Sequence, residues 1–159
     1  MFKNLFLLFL LFLITACGDK NSAFRYFDKK DIEANSVQFT KKVDILNNGE
    51  VEVIFISTYL NKINDEIYND ENESFLVSIF FTNLEEQDIN KNDYELLLNK
   101  KEATLIEKIE KDDERFKGLM MKNYWGNYYL VKFDTITQGR ITLELFDSKS
   151  SRAILNFEK

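Results

Sequence analysis

The chain has 159 residues, a formal net charge of −6, no Pro, no His and a single Cys. Without His it lacks the usual general base and the commonest metal ligand, and its acidic balance opposes binding to nucleic acid or to anionic lipid headgroups. One Cys allows no intramolecular disulfide, so stability must come from apolar burial, for which fifteen Phe and seven Tyr are available.

In chain order the first element is the leader, residues 1–16. Lys3 gives a positive start, Leu5 to Ile14 are apolar without a break, and Ala16 is a small residue just before Cys17. This is the layout of a secretory signal peptide. Its apolar run falls short of the roughly 20 residues that a spanning helix needs.

The segment Ile14-Thr15-Ala16-Cys17 resembles the lipobox of bacterial lipoproteins. The resemblance implies cleavage before Cys17, a thioether-linked diacylglycerol on its sulfur, and frequent acylation of the new amino group. Two or more chains hold a protein to a membrane stably, where a single myristoyl chain does so marginally. Removing residues 1–16 takes one Lys and no acid, leaving a body of 143 residues, one unit more negative than the full chain. Gly18 follows Cys17, with Asp19 one place later; in a host with two membranes the resemblance then implies the outer one. The alternatives are an uncleaved anchor and an ordinary thiol at residue 17.

Residues 17–36 read as the lipidated Cys and a polar tether, interrupted by Phe24, Tyr26 and Phe27. A β domain is expected over 37–159. Val37, Phe39, Val43 and Ile45 alternate with polar residues, then Asn47-Asn48-Gly49 precede Val51, Val53 and Phe55. An Asn-Gly between two alternating runs predicts a hairpin, because its tight turn needs positive φ. Asn61 to Ser74 reads as an acidic loop. Phe75 to Thr82 is apolar on both faces, as in a central strand, and Asn83 to Asp93 is polar again. Tyr94, Leu96 and Leu98 alternate. Ala103 to Ile109 fits a strand or one helical face, with the strand preferred. Tyr128 to Phe133, Ile141 to Phe146 and Ala153 to Phe157 complete the set.

Seven to eight short strands with polar turns predict an all-β antiparallel sandwich. Their order loosely resembles immunoglobulin-like domains of secreted bacterial lipoproteins, although the Cys…Trp…Cys mark of antibody domains is absent.

Asp65, Glu66, Asp70, Glu71 and Glu73 offer oxygens of the kind that calcium takes, but a solvated acidic loop is much the more common outcome for such a run. Asp88 to Asn99 begins like an EF-hand loop and then fails, with Asp93 where Gly is needed and Asn99 where Glu is needed. Neither a nucleophile–base pairing nor a Gly-rich phosphate loop is present, so no catalysis and no cofactor are expected. The candidate interaction residues are Met120, Met121, Tyr124, Trp125 and Tyr128, since aromatic and Met side chains favour interface cores. The competing reading is that they close part of the core.

The expectation is a lipid-anchored, extracytoplasmic module that binds another envelope protein by an exposed sheet edge or by Tyr124–Trp125. Its rival is a small-ligand or glycan-binding lipoprotein using the same aromatics.

Overall fold

Asn48 and Gly49 take φ of 52° and 87° in a computed structural model of the chain. They close a two-residue turn between paired Asn47 and Glu50, so the predicted hairpin is present. The structure describes residues 31–63, 71–82, 85–120, 126–137, 139–149 and 151–159. Residues Ile32–Lys159 form one compact unit, which carries the strands. The leader, Cys17 and the tether up to residue 30 lie outside the described residues.

A helix, α1 (Asp31–Gln38), occupies the end of the predicted tether. Val37 belongs to it and is 72% exposed, rather than starting a strand. Eight residues make a marginal helix alone, and this one is closed by its neighbours. The Thr40 hydroxyl and the Phe39 amide both donate to the Ser36 carbonyl, at 2.7 and 3.1 Å.

Nine strands follow among the described residues: β1 (Thr40–Asn47), β2 (Glu50–Tyr59), β3 (Glu73–Phe81), β4 (Tyr94–Leu98), β5 (Lys101–Glu102), β6 (Leu105–Ile109), β7 (Asn127–Phe133), β8 (Arg140–Asp147) and β9 (Arg152–Glu158). The ambiguous segment before residue 110 is therefore a strand. Sheet A has the order β1-β2-β3-β7-β6 and sheet B the order β5-β4-β8-β9, with every pairing antiparallel.

This is a two-sheet antiparallel β-sandwich. Strands β2, β3, β7 and β6 follow the A-B-E-D order of immunoglobulin-like domains, and β4, β8 and β9 follow C-F-G. The short β5 extends the second sheet, and β1 adds a strand ahead of A.

The main core lies between the sheets. Phe55, Phe75, Val77, Ile79, Val131 and Phe133 of sheet A meet Leu96, Leu98, Ile141, Leu143, Leu155 and Phe157 of sheet B. Ring contacts lock its centre, with Phe75 5.0 Å from Tyr59 and 5.4 Å from Phe157.

A second, smaller core covers the opposite face of sheet A. Leu76, Ile109, Tyr128 and Leu130 point outward from the strands and are packed under Leu60, Ile63 and Phe116 from the connections. With packing on both sides, seven consecutive residues of β3, Glu73 to Ile79, are buried. That explains the continuous apolar run in its sequence.

Candidate functional site

Glu73, expected in a solvated loop, instead opens β3 and points into the main core, 1% exposed. A bare carboxylate there would carry a large desolvation penalty. It accepts from the Tyr59 hydroxyl at 2.5 Å, the Ile136 amide at 3.0 Å and the Lys159 ammonium at 2.5 Å. Burial pushes its pKa up, but the hydrogen bonds from Lys159, Tyr59 and Ile136 outweigh that and leave it below the usual glutamate value. Burial, together with the bond to Glu73, raises the Tyr59 hydroxyl well above its ordinary range. Every contact ties strands together: Tyr59 belongs to sheet A, Ile136 to the β7–β8 crossover, and Lys159 follows β9. The cluster is a staple between sheets, with its proton-accepting positions already engaged.

Of the residues singled out in the sequence, Cys17, Met121, Tyr124 and Trp125 lie outside the described residues. Tyr128 is 4% exposed and belongs to the second core, against which Met120 packs half-buried. Tyr128 is thus a core residue here, not a surface one, because the β6–β7 connection roofs the outer face of sheet A. Gly126 fits closely at the start of β7, where a Cβ would stand 3.0 Å from the Ile79 carbonyl oxygen.

The two sheets differ in what covers them. On sheet B the inward residues of β9, Ala153, Leu155 and Phe157, are buried, while Arg152, Ile154, Asn156 and Glu158 are exposed. Register sets Leu97, Glu144 and Ile154 in one row across β4, β8 and β9, with Glu95, Phe146 and Arg152 in the next. Ile154 is 45% exposed, and Leu97 and Phe146 are half-buried. Arg152 lies 3.5 Å from the Glu144 carboxylate. The result is a small apolar patch around an ion pair, on a face whose outermost strand is open to solvent. The signal in the sequence was Ile154, an aliphatic residue on the polar side of an alternating strand. A second exposed pair, Leu105 and Ile106, lies on β6 at the edge of sheet A.

Among the described residues no group of three or more Cys, Asp or Glu is placed to hold a metal ion, and no helix is long and apolar enough to cross a membrane. Asn99, the residue at the failed calcium position, instead accepts from the Thr142 amide at 2.8 Å. No protein-family model, curated protein or solved structure matches this chain.

Proposed function

We propose that the chain is a lipid-anchored module of a bacterial envelope that binds another extracytoplasmic protein without catalysing a reaction. The anchor rests on the leader, whose Ile14-Thr15-Ala16-Cys17 places the only Cys where a lipobox needs it. The acidic body suits attachment by lipid rather than by a basic surface. Gly18 after Cys17 favours the outer membrane in a host that has two.

The observation that carries the binding reading is the uneven cover of the sandwich. The outer face of sheet A is packed over β3, β7 and β6, whereas sheet B presents Leu97, Phe146 and Ile154 around the Glu144–Arg152 pair. An apolar centre with a charged surround matches the anatomy of a protein interface. Tyr124 and Trp125 remain a second candidate contact.

Two experiments separate the parts of this reading. Cys17→Ala should abolish metabolic lipid labelling and cleavage at this site; retained labelling would sink the anchor. Affinity-tagged, lipidated protein extracted from native membranes should bring down one envelope protein that is lost with Ile154→Lys. Recovery that Ile154→Lys leaves unchanged would move the interface elsewhere.

A further inference from the structure

We propose that the cavity between β1 and β9 binds a small zwitterion with an apolar body, of the size and chemistry of a free apolar amino acid. Strands β1 and β9 are edges of different sheets and share no ladder. Where they approach, a cavity of about 270 Å³ opens over Phe39, Tyr59 and Phe157. Ligand sites for drug-sized molecules run to roughly 300–1,000 Å³, so this one suits a smaller guest.

Its lining offers charges of both signs. Lys41 is already committed: its ammonium donates to the Asn156 carbonyl and lies 5.4 Å from the centre of the Phe157 ring. Arg140 and Glu158 also line the cavity and are direct cross-strand partners. Neither side chain forms an ion pair or hydrogen bond with any described residue. A carboxylate would meet the Arg140 fork, whose paired N–H groups match its two oxygens. An ammonium would meet Glu158. A simple anion would be opposed by Glu158 and a simple cation by Arg140 and Lys41, so a guest carrying both charges is favoured. Half-buried Phe39 takes the apolar body, backed by Tyr59 and Phe157, which are themselves almost fully covered.

Isothermal titration of the detergent-solubilised full chain with L-phenylalanine and with L-leucine tests this. Saturable binding of at least one is expected, weakened tenfold or more by R140Q and by E158Q. N-acetyl-L-phenylalanine and L-phenylalanine amide, each lacking one charge, should bind at least tenfold more weakly than L-phenylalanine. As an independent readout on the unsubstituted chain, backbone amide signals of Phe39, Arg140 and Phe157 should shift on titration. Absence of binding at millimolar concentration, binding that survives both variants, or equal binding of the single-charge analogues would each overturn the proposal.

Discussion

The Lys159 ammonium reaches 2.5 Å from the Glu73 carboxylate, joining the residue after the last strand of sheet B to the first residue of β3 in sheet A. The same ammonium donates to the Ile136 carbonyl at 2.5 Å, so one side chain binds both sheets and the crossover between them. Removing one partner of a buried pair costs about 3–5 kcal/mol. Lys159 is 37% exposed at its side chain, which screens part of the interaction. Lys159→Ala should therefore cost about 2–3 kcal/mol in urea unfolding. A loss within error of zero would show that Tyr59 and Ile136 suffice for Glu73.

The same carboxylate predicts an acid limb. Its folded pKa lies below the 4.5 of an unperturbed glutamate, so the unfolded chain takes up its proton first as pH falls. Its contribution is complete above pH 4.5 and fades as the pH drops from there through the folded value. Stability measured across that window should fall less steeply in Glu73→Gln than in the parent. An identical slope would remove Glu73 from the acid response.

Substituting Val77 or Ile79 by Asp should unfold the domain. Both are fully buried in β3, where an unpaired charge has no partner. An unaltered circular-dichroism melt would mean that these side chains are not in the core.

Asn99 and Lys100 both take positive φ, 47° and 68°, in the tight turn between β4 and β5. A two-residue turn of this kind prefers Gly at its second place, and the left-handed region costs an ordinary residue about 1–2 kcal/mol. Lys100→Gly should raise stability by about 0.5–1 kcal/mol, reduced from that figure by the added freedom of the unfolded chain. A lower melting temperature would contradict the turn geometry.

Gly118 has φ of 91°, and a Cβ there would stand 2.7 Å from Glu33 Oε1. Glu33 is a flexible side chain that can move aside, so the backbone sets the penalty. Gly118→Ala should cost about 1–2 kcal/mol, and adding Glu33→Ala should not restore it. Full rescue in the double variant would instead make the steric contact dominant.

The sequence disclosed what depends on neighbours along the chain. The Asn48-Gly49 turn was legible because few residues tolerate two positive φ values in succession. The core side of β9 was legible because Ala153, Leu155 and Phe157 alternate with polar residues. Contacts between distant segments were not legible. Glu73 lies 86 positions from Lys159, so nothing near it distinguished it from its solvated acidic neighbours. Tyr128 and Tyr129 point to opposite faces of β7; Tyr129 is buried between the sheets, and Tyr128 only because connections cover the outer face of sheet A. Helix α1 was hidden because Val37 and Phe39 continue the two-residue spacing of β1 and the helix is too short to show a stripe of its own.

Site-specific photo-crosslinking of the chain in its native cells tests the proposed binding surface most directly. A photoreactive residue at position 154, at the centre of the exposed β9 face, should give one discrete product containing a single envelope protein. The same residue at Lys117, which is exposed on the roof over sheet A, should give none. Products of equal yield from both positions, or none from position 154, would contradict a docking role for sheet B.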